Sequence, residues 1–333
     1  MKQLIQKLVE STGPSGYETA VRSLVRAEVE SLADSVSVDA LGNLIARKGQ
    51  KSGEGLRIML AAHMDEIGVI VSHVDENGFV RFTTIGGVSA TTCLGGRVRF
   101  TSGVPGVIYG EKLDNPDKGY TIEQLFIDVA ATSRADCPVK VGDVAAFERP
   151  FLDLGDRLVS KAMDDRISVA VLIETLRHLR QQTPNELVFV FTTQEEVGTR
   201  GATSAAYAVD PDLGISVDVT RSGDTPKGVR MDVSLGKGPA IKVRDSGMLA
   251  DPRLVRCMVE TAESHNIPYQ MEVLEGGTTD ARAMQLTRAG VPSGCVSIPC
   301  RYIHSPSEMV DYRDVQNAVR LLVELLSGPV KLD

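Results

Sequence analysis

Five apolar stretches of this chain run into side chains that can hold a cation or move a proton. "IMLAAHMD" ends in His63 and Asp65, and "VFVFTTQEE" ends in Glu195 and Glu196. "ISVDV" carries Asp218, "VSIPCRYIH" leads to His304, and "VSKAMDDR" brings Asp164 and Asp165 just ahead of a helical stretch. Imidazole and carboxylate groups suit zinc and, with more oxygen ligands, cobalt or manganese. There are more candidates here than a single catalytic zinc needs. Two cations about 3.5–4 Å apart, with one carboxylate bridging them, would use them all.

Taken singly, each residue has a plainer explanation. A His-x-Asp pair at a strand end is often unrelated surface polarity. Here residues 63 and 65 share a face if extended, so the carboxylate can steer the ring, as beside a metal-bound histidine. Asp164 and Asp165 suit a helix N-terminus as well as they suit a site. Asp218 stands in an otherwise apolar strand, where an unpaired buried carboxylate is costly, so it calls for a cation. His304 alone reads as an ordinary surface or core histidine, and His73, His178 and His265 lack any comparable setting. The glycines of "EGGTTDA" serve either a turn or the close approach of a ligand to the backbone. Glu195 and Glu196 would point to opposite faces of a strand. If the strand ends there and the backbone turns, one can bind metal while its neighbour stays free as a proton carrier.

These residues need a common scaffold. "LRIMLAAHMDEIG", "NELVFVFTT", "LGISVDVT" and "VPSGCVSIP" read as buried strands. "DDRISVAVLIETLRHLR", "DPRLVRCMVETAESH", "TTDARAMQLTRAG" and "DVQNAVRLLVELLSG" read as helices between and after them. The N-terminus contributes two amphipathic helices separated by the turn cluster "TGPSG". The alternation predicts an α/β fold: a mixed, mainly parallel sheet with helices on both faces. Such sheets place their sites outside the carboxyl ends of the strands, where all five segments end. Between them, "VIVSHV", "FVRFTTI", "GRVRFTS" and "GVIYG" are short, β-rich and broken by glycine. The expected organisation is a discontinuous catalytic domain, residues 1–66 and 159–333, interrupted by a β-rich module at 67–158.

Bulk properties narrow the class. The 333 residues suggest two domains, and 42% apolar with 24% charged content suits a globular protein with a large core. The net charge of -8 argues against general nucleic-acid binding. No run of about 18 apolar residues is present to span a membrane, and no segment suits a signal peptide. The five cysteines are scattered singly with no CxxC, which fits a reduced, cytoplasmic setting better than disulfides or a thiolate zinc site.

"AAHMDEIG", "SKAMDDR", "TTQEEVGTRG", "SVDV" and "IPCRYIHSPSEMV", in this order, resemble the tetrahedral (TET-type) dinuclear metallo-aminopeptidases, the group that includes cellulase-M-like and glutamyl aminopeptidase-like proteins. The resemblance extends from near residue 12 to near residue 310. It implies a zinc-exopeptidase-like sheet, with the insert forming a PDZ-like dimerisation domain. It implies that His63, Asp164 and Asp218 hold one metal and that Asp164, Glu196 and His304 hold the other. Asp65 would then orient His63, and Glu195 would be the general base and later the general acid. It also implies two divalent ions per subunit, zinc or cobalt first and manganese next, and short peptides as substrates. Dimers would assemble into a tetrahedral dodecamer. Thr278 and Arg282 depart from the family's usual glycine and small residue, which bears on side-chain preference and not on hydrolysis.

The expected reaction is removal of N-terminal residues by activated water, with the proton carried by Glu195. Another two-metal hydrolase on this scaffold, a carboxypeptidase or N-deacylase, is the nearest alternative. A glycosidase would also use paired carboxylates, but the chain has no tryptophan for sugar stacking. A non-catalytic assembly module is the third alternative.

Overall fold

A computed structural model describes residues 1–179 and 183–332. The chain begins with α1 (Lys2–Glu10), α2 (Thr19–Val29), the hairpin β1 (Ser35–Val38) and β2 (Leu44–Lys48), and then β3 (Arg57–His63). Six short strands follow: β4 (Gly68–Val74), β5 (Val80–Ile85), β6 (Arg97–Phe100), β7 (Pro105–Gly110), β8 (Leu125–Asp128) and β9 (Val144–Phe147). A single turn of helix, α3 (Ala90–Cys93), lies between β5 and β6. Next come β10 (Leu152–Asp153), β11 (Arg157–Ser160), α4 (Met163–His178), β12 (Glu186–Thr192), α5 (Arg200–Val209) and β13 (Leu213–Arg221). The chain then forms β14 (Ala240–Arg244), α6 (Pro252–Ser264), β15 (Gln270–Val273), α7 (Asp280–Gln285), β16 (Ser293–Arg301), β17 (Glu308–Asp311) and α8 (Tyr312–Ser327).

The centre of the large sheet is β12, β3, β13 and β16, side by side and all parallel. Their residues are buried almost without interruption, which is why they read as continuous apolar runs rather than alternating ones. The expected parallel sheet is therefore parallel at this centre. Its flanks are antiparallel: β2 and β1 lie beyond β12, and β17, β11 and β10 lie beyond β16. Strand β14 also pairs antiparallel with β16, and it pairs parallel with β15. Short links such as those of β1–β2 and β10–β11 can join only antiparallel neighbours, whereas the central strands are joined by helical crossovers. Helices α1, α2, α4, α6 and α8 bury their apolar sides against one face of the sheet, and α5 and α7 cover the other.

The inserted strands close into an antiparallel barrel in the order β4-β5-β8-β7-β6-β9, with β9 returning to β4. The barrel has its own core, which includes Val71, Phe82, Phe100, Ile108 and Ile127. Its strands run from Gly68 to Phe147, while β10 and β11 belong to the large sheet. Helix α7 is shorter than "TTDARAMQLTRAG" suggests. It ends at Gln285, where the backbone leaves helical angles at Leu286 (φ -93°, ψ 3°) and Arg288 takes a left-handed φ of 51°. Among the described residues, no helix is long and apolar enough to cross a membrane.

Candidate active site

The parallel strands deliver their polar ends to one edge. His63 is the last residue of β3 and pairs with Thr192, the last of β12. The register of β13 against β3, Ser216 opposite Ala61, carries Asp218 to the same level. Strand β16 continues past this level to Arg301, and the chain then turns back through His304 towards β17. Left-handed backbone clusters at these turns: Ala162, Gln194, Thr199, Tyr302 and His304 have φ of 54°, 56°, 49°, 63° and 61°. Each costs about 1 kcal/mol or more for a non-glycine residue, and such strain concentrates at functional sites.

Asp164 sits at the middle of the site. Its Oδ1 is 3.0 Å from His63 Nε2, and its Oδ2 is 3.4 Å from His304 Nε2. Glu196 Oε2 is 3.2 Å from the same His304 nitrogen. Two groups of possible ligand atoms result, His63–Asp164–Asp218 and Asp164–Glu196–His304, each with all its atoms within 4.8 Å of one another. Asp164 belongs to both. Glu195 stays outside both groups, with its Oε2 4.0 Å from His63 Nε2. The helix-cap explanation for Asp164 and Asp165 does not hold. Among the described residues, neither carboxylate accepts a hydrogen bond from a backbone N–H of α4, and Asp164 Oδ1 faces His63. Asp165 instead accepts a 3.2 Å hydrogen bond from the His63 backbone N–H through Oδ2.

Asp65 does more than face a ring. The His63 Nδ1 atom is 3.1 Å from the Asp65 carbonyl oxygen and 3.4 Å from its carboxylate. That carboxylate accepts the backbone N–H groups of Glu195 and Glu196 at 2.9 and 3.1 Å, and the Ser15 hydroxyl at 2.6 Å. The turn that separates the two glutamates is therefore held by Asp65. Glu18 holds it from the other side, accepting from the Gln194 N–H at 3.1 Å.

The electrostatics call for cations. Burial, reinforced by neighbouring carboxylates, pushes the Asp218, Glu195 and Glu196 carboxyls above their usual range. Burial also opposes the Asp164 charge, but hydrogen bonds from His304 and His63 outweigh it and hold that carboxyl low. Glu196 Oε1 is buried with no hydrogen-bond partner among the described residues. Four crowded carboxylates, two imidazoles and an orphaned oxygen fit a pair of divalent ions, which would supply the missing positive charge.

Several contributing residues were not picked out from the sequence. Glu308 is buried and accepts the Asp164 N–H at 2.9 Å and the His304 N–H at 2.8 Å, so one carboxylate ties two ligand segments together. The signal was a lone glutamate opening the apolar strand "EMVD". Asp280 is buried beside the site, accepts from Thr192 Oγ1 at 2.5 Å, and is raised to about 6 by burial. Ser15 and Glu18 lie in or beside a segment that reads only as a turn. The cavity, about 370 Å³, extends from the clustered ligands past Gly276, Gly277, Thr278 and Arg282, so the glycine loop does border it.

Comparison with known proteins identifies the family. Residues 42–321 match the model of the M42 glutamyl aminopeptidase family. The chain is 37% identical over 346 residues to the lysyl aminopeptidase of Pyrococcus furiosus, covering 99% of this chain and 98% of that one. It is similar in structure to an aminopeptidase from Desulfurococcus kamchatkensis, with a TM-score of 0.91, 40% identity, and 98% and 94% of the two chains covered. It is also similar to the TET1 peptidase of Pyrococcus horikoshii, which can assemble into a tetrahedron or a large octahedral shell, with a TM-score of 0.89, 31% identity and 98% of each chain covered. The matched span and these identities place the chain in the TET-type M42 aminopeptidase family.

Proposed function

We propose that this chain is a metal-dependent aminopeptidase that removes N-terminal residues from short peptides, using two divalent cations and a water. The observation that carries this reading is the pair of ligand groups sharing Asp164, with Glu195 left out of both. His63, Asp164 and Asp218 would hold one ion, and Asp164, Glu196 and His304 the other. Zinc or cobalt suits the mixed nitrogen and oxygen donors, with manganese next. Such ions, when bound, acidify a water and polarise the scissile carbonyl.

The chain's own residues do the rest. Glu195 takes the proton of the attacking water on its carboxylate and returns it to the departing amine. Asp65 keeps Glu195 and Glu196 apart by holding both backbone N–H groups. A requirement for a free N-terminal amine would separate an aminopeptidase from an N-deacylase or carboxypeptidase. In this reading residues 1–66 and the chain from β10 onward form the catalytic unit, and the barrel whose strands run from Gly68 to Phe147 is a PDZ-like dimerisation module. Dimers would build a tetrahedral dodecamer in the cytoplasm.

The test is Glu195→Gln. Two metal ions per subunit should remain bound, and turnover of aminoacyl-amide substrates should fall about 10²–10⁴-fold. Near-normal turnover would remove Glu195 from its role. Efficient cleavage of N-acetylated peptides by the wild-type protein would favour the deacylase alternative.

A further inference from the structure

The barrel reaches the catalytic cavity through the residues that follow β5. Gly87 lines that cavity together with His304. A Cβ built on Gly87 would lie 2.5 Å from His304 Nδ1 and 2.9 Å from its Cε1, closer than real carbon contacts allow. A Cβ on the neighbouring Gly86 would lie 3.0 Å from Glu196 Oε2 and 3.2 Å from Glu196 Cβ. Two consecutive glycines of the inserted module therefore press their backbone against two side chains of the same ligand group.

His304 needs such a boundary. Its backbone is left-handed, and its side chain is 35% exposed, against 2% for His63. Glu308 fixes its backbone N–H, but that bond leaves the imidazole free to swing about its side-chain torsions. On one side of the ring, Nε2 faces Asp164 and Glu196. On the other side stands Gly87.

We infer that Gly87, with Gly86, is a positioning element for His304 and Glu196, so that the inserted barrel completes the cation site formed by Asp164, Glu196 and His304. The inference rests on the two-cation reading above and extends it to a residue outside the catalytic sheet. The physical reason is spatial. A methyl group at position 87 must displace the imidazole, and with it the direction of the Nε2 lone pair. Gly87 is not in the left-handed region, so alanine there tests space and not backbone strain. Gly86, at φ of 76°, would confound the two.

The experiment is a cobalt titration of the metal-free full-length protein, followed by visible absorption, for wild type, Gly87→Ala, His304→Ala and the double variant. Wild type should take up two cobalt ions. Gly87→Ala should weaken one of them about 10–100-fold, the cost expected when support of a ligand is lost, and leave the other near its wild-type affinity. His304→Ala should weaken the same ion, and adding Gly87→Ala should make it no worse, because the glycine acts through that ring. Gly87→Ala binding both ions as wild type does, or adding its full effect to His304→Ala, would overturn the inference alone. A wild-type protein that takes up fewer than two ions would overturn the two-cation reading and the inference with it. Hydrogen exchange in the wild-type protein supplies an arm that needs no variant. Exchange at residues 86–89 should slow on addition of the second cobalt equivalent, and exchange indifferent to cobalt contradicts the inference.

Discussion

The two ligand groups share a carboxylate and differ in how they are built. His63 and Asp218 belong to parallel strands at the centre of the sheet, and both are almost fully buried. Glu196 and His304 belong to turns beyond the strand ends, entered through the left-handed Gln194 and Tyr302. The first group is positioned by the sheet ladder itself. The second depends on borrowed support: Asp65 and Glu18 under the glutamate turn, Glu308 under the histidine, and the barrel glycines against both. Sites on regular elements are held more precisely than sites on loops. The lesson is that one centre can join a rigid half to a half whose geometry is set by distant parts of the chain.

The largest effect should come from the shared residue. Asp164→Asn should abolish tight binding at both sites, and metal analysis after dialysis should find well under one ion per subunit. Retention of one full ion would show that the groups are independent. Replacing one histidine at a time separates the halves: His63→Ala and His304→Ala should each weaken the binding of one ion, and a different one, in competition titrations. A smaller effect is expected where only support is removed. Glu308→Gln keeps one acceptor and sets an amide N–H₂ against the other backbone donor. It should weaken the His304 site about 10–100-fold and leave the His63 site unchanged. Equal weakening of both would mean that Glu308 acts mainly through Asp164.

The smallest effect concerns the base of the His304 turn. Arg301 donates to Asp224 through Nε and Nη2 at 2.9 and 2.8 Å. Those bonds hold the Asp224 carboxyl down at about 2. A lowered folded-state value means the pair stabilises the fold above the unfolded aspartate value near 3.9, and that this contribution fades as pH falls through about 2. Because the pair is partly exposed, Asp224→Asn should cost only about 1 kcal/mol at pH 7. Urea unfolding should show that cost shrinking as the pH is lowered towards 2. A cost that grows in acid would contradict the assignment.

Much of this was legible because the central strands are apolar throughout and stop abruptly. An uninterrupted run such as "ELVFVFTT" marks a strand buried on both faces, and its polar end then marks the sheet edge where ligands bind. His63, Glu195, Glu196 and Asp218 were readable in this way. The choice of Asp164 over Asp165 was not, since both stand before the same helix. The family resemblance suggested it, and the helix start turns their side chains to different partners. Glu308, Ser15 and Glu18 escaped notice because their work is done on backbone N–H groups. A sequence gives side-chain types but not where a turn will aim its amides. The diglycine of "TIGGVS" looked like ordinary strand punctuation, because its neighbours across space, Glu196 and His304, are more than 100 and more than 200 residues away. The flanking strands β1, β2, β14 and β15 were lost for a related reason: they are only four or five residues long and lack a clear pattern.

The central claim is that five side chains clasp two cations through a shared Asp164 while Glu195 stays unligated. The most direct measurement is a crystal structure of the cobalt- or zinc-loaded protein with anomalous difference maps collected at the metal edge. The account predicts two peaks about 3.5–4 Å apart on either side of the Asp164 carboxylate, with Glu195 bound to neither. A single peak, or a peak with Glu195 in its coordination shell, would contradict it.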